Sequence, residues 1–369
     1  MYFANIKGIK NKLEINMIKN TVGIIANPVS ARDIRRIISN ASNLQTSERV
    51  NIVMRLLSTL FSCNVNDVYM MPDKAGLTAM LLRSIKKEHA QSEGVKLYPD
   101  LHFVDLSVTS TVDDTYKAAS LMVEAGVKVI FVLGGDGTHR AVVKELIKLK
   151  DLGKSIPAIC GISTGTNNAF PQMLEPTVAA LAVAQYVNEK ISIEKALVKN
   201  KVIEVCVNDK VADIAIVDVV ISKDMYVGSR AIWDAKKISE IYLTYADPTV
   251  IGFSSIGGLL EPIERFSIDG LALYMSEDSS KTSIVVKAPI APGLLSDVPI
   301  EGHQKMVADV CYPIRIEKGI VALDGEREFS FNAGQKVSIR LRKNVFSTVN
   351  VNSCMQEIAD KKLLCHTLV

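Results

Sequence analysis

The residues best suited to chemistry lie in Val127–Arg140, VKVIFVLGGDGTHR. An apolar run enters Gly134 and Gly135, and Asp136, Gly137 and Thr138 follow. Glycine weakens a strand and an isolated buried carboxylate is costly, so this composition at the end of an apolar run calls for a reason. Without β-carbons, the three glycines let backbone N–H groups come close to phosphate oxygens. A helix beginning at Thr138 would add the positive end of its dipole. Beside a bound phosphate, Asp136 would hold Mg2+ or accept a proton from an attacking hydroxyl. The plain alternative is a strand-to-helix turn that Asp136 and Thr138 cap.

Two further loops carry the same kind of chemistry. IANPVSARD follows an apolar strand, Pro28 stops that strand, and Asn27 and Ser30 then come within reach of a phosphate or ribose. CGISTGTNNAFP follows another strand, and its Gly165, Thr166, Asn167 and Asn168 are small polar groups opening a helical segment. Taken alone, such residues are ordinary turn and cap chemistry. Three of these loops at one edge of a sheet are a candidate site. A fourth element, ALDGERE, places Asp324 and Glu326 around Gly325, where an Asp-Gly hairpin is the simplest reading.

The elements that must position these loops alternate from residue 21. TVGIIA, DVYMMP, LHFVDL, VKVIFVL and IPAICGI read as short buried strands. SARDIRRIIS, SERVNIVMRLLSTLFS, KAGLTAMLLRSIKKEH, TVDDTYKAASLMVEAG and THRAVVKELIKL read as helices, with a mostly helical stretch over 167–189. Near-continuous apolar strands between helices predict a parallel, Rossmann-like sheet covered on both faces. In such a sheet, ligands sit at the carboxyl ends of the strands. After about residue 192 the texture becomes that of strands joined by turns, which predicts a β-sandwich-like second domain. Only SRAIWDAKKISEIYLTYA, with Trp233 and Tyr242, has helical spacing there, while GFSSIGG reads as a tight turn or a ligand border. The expected divisions are an extension over 1–20, an α/β domain over 21–192 and a β-rich domain over 193–349, with 350–369 returning to the first.

The totals bound the function. The chain has 369 residues, 48% hydrophobic and 22% charged, which fits a soluble globular protein of two domains. Its 43 Lys and Arg against 40 Asp and Glu give a charge of +3, which offers no reason for a nucleic-acid partner. The cysteines at 63, 160, 206, 311, 354 and 365 form no C-x-x-C, so buried free thiols in a reducing cytoplasm are expected. His89, His102, His303 and His366 lack ligand or triad spacing, and His139 is expected at the surface of the first helical turn. No apolar stretch approaches the roughly 18 residues of a membrane helix. A cytoplasmic homo-oligomer with a small-molecule nucleotide substrate, away from membranes, is the expectation.

G-G-D-G-T after a buried strand, an N-P-x-S loop before it and G-T-N-N after it resemble the superfamily of NAD kinases and diacylglycerol/sphingosine-type kinases. The late D-G-E resembles that superfamily's acidic turn. Within it, GIIANPVSARDIRRI, GISTGTNNAFP, VGSRAIWD, IAPGL and IVALDGERE resemble the acetoin-catabolism protein X group, over roughly residues 21–369. The resemblance implies a two-domain, NAD kinase-like kinase that uses ATP and Mg2+, with its nucleotide between the domains. It makes Asp136 the base and places Gly134, Gly135, Gly137 and Thr138 at nucleotide phosphates. Asn27 and Ser30 then line the phosphate side, and Gly165, Thr166, Asn167 and Asn168 the nucleotide or acceptor side. Asp324 and Glu326 help to place the metal or the nucleotide. Two positions depart from the pattern: Ala31 replaces a glycine, and Val217-Asp218 replaces the Asn-Glu pair that holds the dinucleotide in NAD kinases, leaving Asp218 as a ribose acceptor.

Overall fold

The computed structural model describes residues 20–27, 45–164, 168–223, 237–276 and 280–365. Its first half alternates as the apolar runs demand. The elements are β1 (Val22–Ala26), α1 (Thr46–Ser62), β2 (Asp67–Met70), α2 (Leu77–Gln91), β3 (Asp100–Phe103), α3 (Val112–Glu124), β4 (Val129–Gly134), α4 (Asp136–Asp151), β5 (Ala158–Ser163), α5 (Pro176–Val187) and the single turn α6 (Ile193–Ala196). The five strands are parallel in the order β3-β2-β1-β4-β5. Along β4, Val129, Phe131 and Leu133 face a core containing α1 and α5, and Ile130 and Val132 face another containing α3 and α4. Both faces are therefore covered, which explains the unbroken apolar strands. The strand order reverses between β1 and β4, and the crevice of such a sheet opens at that point.

The second half contains β6 (Leu197–Val207), β7 (Lys210–Ala215), β8 (Asp218–Ser222), β9 (Ile238–Leu243), α7 (Phe253–Leu260), β10 (Gly270–Met275), β11 (Ile284–Ala291), β12 (Leu294–Met306), β13 (Cys311–Pro313), β14 (Gly319–Leu323), β15 (Glu326–Phe331), β16 (Val337–Val349) and α8 (Val351–Asp360). Seven of these strands form an antiparallel sheet in the order β11-β12-β10-β9-β8-β14-β15. The others extend the first sheet: β16 meets β5 in parallel at Thr348 and Ile159, then pairs with β6 and β13 in antiparallel fashion. Ile203, Val205, Ile339 and Leu341 of this extension pack on Val219, Tyr242, Val321 and Leu323 of the second sheet. The molecule is thus a helix-covered, largely parallel sheet joined to an antiparallel one. Helix α8 is capped by Asn350, whose side chain accepts the Ser353 N–H, and buries Cys354 in the core that also holds α5. Among the described residues no helix is long and apolar enough to cross a membrane.

Three expectations are corrected in the second half. SRAIWDAKKISEIYLTYA is not one helix: Ile238–Leu243 is a strand and Tyr242 lies within it, while Trp233 falls outside the described residues. All six positions of β9 are buried, so no alternation marks it, and Ile238, Ile241 and Tyr242 mimic a helical period. Its polar members are satisfied, since Glu240 accepts from the Tyr242 hydroxyl and the Arg315 N–H at 2.5 and 2.6 Å. Helix α7 instead forms in the segment read as a tight turn or a ligand border. Strand β12 has no counterpart among the expected strands. The predicted helix over 30–39 lies outside the described residues.

Glycines allow α7 to seat on the second sheet. A Cβ on Gly258 would lie 2.3 Å from the Asp247 carbonyl carbon and the Pro248 nitrogen, both main-chain atoms that cannot move aside singly. Gly258→Ala should therefore destabilise the fold by about 2 kcal/mol, in the range of overpacked sites. Urea unfolding checks this: the midpoint should fall with an unchanged slope.

Candidate functional site

The loops after β1, β4 and β5 meet at the strand-order reversal. Asn27, directly after β1, donates its side-chain amide to Thr138 Oγ1 at 3.2 Å and its N–H to the Leu133 carbonyl at 3.2 Å. Asn168 donates to Ser163 Oγ at 2.9 Å. The glycines make room for these side chains. A Cβ on Gly134 would meet Thr138 Cβ at 2.6 Å, and one on Gly135 would meet Asn168 Oδ1 at 2.8 Å. Gly134 is itself the last residue of β4, paired with Ser163. Helix α4 begins at Asp136, two residues earlier than expected, and Gly135 at its N-cap supplies no side-chain cap. Gly137 and Thr138 lie in its first turn, where the Thr138 N–H donates to the Gly135 carbonyl at 3.1 Å.

Asp136 does not cap its own helix. Its two carboxylate oxygens accept the N–H groups of Phe170 and Ala169, at 2.8 and 3.0 Å, beyond the third loop. The aspartate at the end of the apolar run thus ties the turn after β4 to the segment after β5. Ser30 and Gly165–Asn167 lie outside the described residues.

The second sheet brings two more carboxylates. Asp324 and Gly325 take φ of 49° and 82°, making the expected Asp-Gly hairpin between β14 and β15. The buried Asp324 carboxylate accepts the N–H groups of Ile216, Val217 and Asp218 at 2.8–3.2 Å, a backbone nest for an anion. Arg140 Nε, from α4, lies 3.7 Å away. Burial raises the Asp324 pKa to about 8; Arg140 pulls it down, and Asp218 and Asp136 push it up. Three carboxylates close enough to feel one another, with one guanidinium beside them, favour a bound proton or cation.

As a magnesium ligand Asp324 would have Oδ2 to offer, since Oδ1 takes three backbone N–H groups and Oδ2 only one. Among the described residues no three His, Cys, Asp or Glu side chains form a metal-binding group, and the Glu326 side chain is outside them. Val217 is buried in the core with Phe170 and Tyr245.

Several residues at the site carry no local sequence signal. Tyr245 donates its hydroxyl to the Ala169 carbonyl at 2.7 Å, and Arg265 donates to the Phe170 carbonyl while stacking on the Phe170 ring at 4.2 Å. Arg140 is legible in retrospect, since it stands four residues after Asp136 on one helix face.

His139 corrects an expectation: it is fully buried rather than at the surface. It shares the inner face of α4 with Val142, Val143 and Leu146, at helical spacing. Its Nδ1 bonds the Gly135 carbonyl at 2.9 Å, and its ring contacts Phe170 at 5.7 Å. A Cβ on Gly161 would sit 2.7 Å from Nε2.

Comparison with known proteins agrees with this architecture. Residues 22–191 match the ATP-NAD kinase N-terminal domain, so the first part is kinase-like in fold. Residues 201–344 match the acetoin catabolism protein X C-terminal domain. The acetoin catabolism protein X of Cupriavidus necator is 44% identical over 347 residues, covering 93% of each chain. The chain belongs to the acetoin catabolism protein X family. A solved structure from Bacillus anthracis, described as a candidate diacylglycerol kinase, aligns over 89% of this chain and 97% of its own at 14% identity, with a TM-score of 0.48.

Burial lowers the His139 pKa from 6.5 to about 4. The folded state then rejects a proton that the unfolded chain accepts. Stability is therefore full above about pH 6.5 and falls as the pH drops towards 4, by about 3 kcal/mol from this residue. Asp324, whose raised pKa acts in the opposite sense, is common to both proteins, so between pH 7 and pH 4.5 urea unfolding should show His139→Gln losing about 2.5 kcal/mol less stability than the unaltered chain.

Proposed function

We propose that this protein is a phosphotransferase that moves a phosphoryl group from a nucleoside triphosphate such as ATP to an alcohol hydroxyl, with NAD as the first acceptor. The observation that carries the reading is the Asp136 carboxylate, held at the first turn of α4 by the Ala169 and Phe170 N–H groups where the strand order reverses. In this reading the N–H groups at the start of α4 receive phosphate oxygens, as open helix N-termini do. Asn27, Ser30 and Thr138 line the phosphate side, with Gly134, Gly135 and Gly137 between them. Gly165–Asn168 face the nucleotide or acceptor, and Asp218 takes a ribose hydroxyl. Asp136 accepts the proton of the attacking hydroxyl; a carboxylate offers more acceptor positions than two N–H groups fill. Magnesium, when bound with the nucleotide, supplies charge neutralisation to the phosphates. Asp324, with Glu326, helps to place the metal or the nucleotide.

A second reading, transfer to another small hydroxylated molecule, is favoured by Val217. Valine cannot make the side-chain hydrogen bonds of the asparagine found there in NAD kinases. Such a bond is worth about 0.5–1.5 kcal/mol, so its loss weakens NAD binding without abolishing it.

Incubation with ATP, Mg2+ and a panel of alcohols, NAD included, tests both readings. NADP is the expected product, and phosphorylation of a different alcohol alone would move the assignment to the second. Asp136→Asn should lower turnover by about 10²–10⁴, the usual worth of a general base, with a cooperative fold retained. Near-normal turnover in that variant would return Asp136 to a structural clamp.

A further inference from the structure

Asp136 acts on its surroundings through a short segment whose other side is held by the second half of the chain. In the peptide unit joining Ala169 and Phe170, the N–H points to Asp136 Oδ1 at 2.8 Å and the C=O receives the Tyr245 hydroxyl at 2.7 Å. The next carbonyl, that of Phe170, receives Arg265 Nη2. Pro171 follows and restricts Phe170 to an extended backbone.

The two donors are themselves fixed. Tyr245 is 2% exposed, and the Arg265 guanidinium lies 4.2 Å from the Phe170 ring centroid and 5.3 Å from that of Tyr245. The loop bearing Arg265 is tied down by buried Lys201 of β6. Its ammonium donates to the Ser267 carbonyl at 2.7 Å, to Ser267 Oγ at 3.2 Å and to the Asp269 carbonyl. Tyr245 and Arg265 both reach across from the loops that flank α7.

We propose that Tyr245 and Arg265 are positioning residues for Asp136, orienting the Ala169–Phe170 backbone so that its two N–H groups meet the carboxylate. A donor on a carbonyl also polarises its peptide unit and strengthens the N–H on the other side, so Tyr245 acts on Asp136 through one amide plane. Asp324 from the second sheet couples with this carboxylate, and Arg265, Asp136, Asp218 and Asp324 all act on the Tyr245 hydroxyl. The arrangement rests on the proposed role of Asp136 only for its effect on turnover; the geometry is independent of it.

The test uses the full chain labelled with 15N-alanine and 15N-phenylalanine. The Ala169 amide proton, which shares no peptide unit with the Tyr245 bond, reports its own hydrogen bond to the carboxylate. Asp136→Asn fixes the direction of shift when that bond loses its charge. Tyr245→Phe should move the Ala169 signal in the same direction, and Arg265→Lys should do so as well. Tyr274→Phe, which removes a hydroxyl far from this segment, should leave it in place. Where a transfer activity has been found, Tyr245→Phe should also lower kcat about three- to tenfold with KM unchanged, the range of one hydrogen bond. An unmoved Ala169 signal in both Tyr245→Phe and Arg265→Lys overturns the proposal even if the enzyme turns over. A moved signal in a protein that phosphorylates nothing supports the positioning role and rejects the kinase reading alone.

Discussion

Keeping three carboxylates together inside a folded protein is the constraint on which the rest of this structure depends. Asp136, Asp218 and Asp324 come from α4, β8 and the β14–β15 hairpin, and the first two each raise the cost of ionising Asp324. Unpaired burial of even one would be prohibitive. The chain answers mainly with backbone: two N–H groups on Asp136, three on Asp324, and one guanidinium, Arg140, beside the latter. Backbone donors are well suited to this work. They cannot swing away as side chains can, and they sit in the segment after β5 and at the junction of β7 and β8.

That solution joins the two sheets. The nest on Asp324 lies where β7 ends and β8 begins, which is also where the chain leaves the extended first sheet for the second. The hairpin turn therefore pins the crossing point, and the Asp324 N–H returns a bond to the Asp218 carbonyl at 3.0 Å. The buried Thr244 hydroxyl closes the same bend by donating to the carbonyls of Ile216 and Val217 at 2.8 and 3.0 Å. A site assembled at such a crossing inherits the rigidity of both sheets, and a polar network held by this many backbone donors favours one arrangement over its alternatives.

Much of this was legible in the sequence, for reasons that differ by region. Strands β1, β4 and β5 announce themselves because both faces of the sheet are covered there, so apolar runs such as VKVIFVL admit few other readings. The Asp-Gly hairpin at 324–325 was legible from its turn chemistry alone. Strand β9 was not, since burial of every position erases the alternation by which strands are known, and its Glu240 and Tyr242 satisfy each other out of sight. His139 was misread because its neighbours in the motif suggest a loop edge. Its own helical face, shared with Val142 and Val143, points inward. Tyr245 and Arg265 could not have been found, because they reach the site from far along the chain and no local pattern distinguishes them from packing residues.

The glycines of the motif have a packing role beside the phosphate-cradling one that their residue type suggests. Their lack of β-carbons suggested direct room for phosphate, yet the volume freed at Gly134 is taken by Thr138, and that at Gly135 by Asn168. Both side chains are polar and sit beside the open N-terminus of α4. The glycines thus work one step removed, by letting the groups that line the site come close to the turn. Alanine at Gly135 would displace Asn168 Oδ1, on the residue that precedes the Ala169 and Phe170 amides holding Asp136. A motif usually read as a cradle is here equally a packing solution, in which the absence of two methyl groups helps to set where a carboxylate can stand.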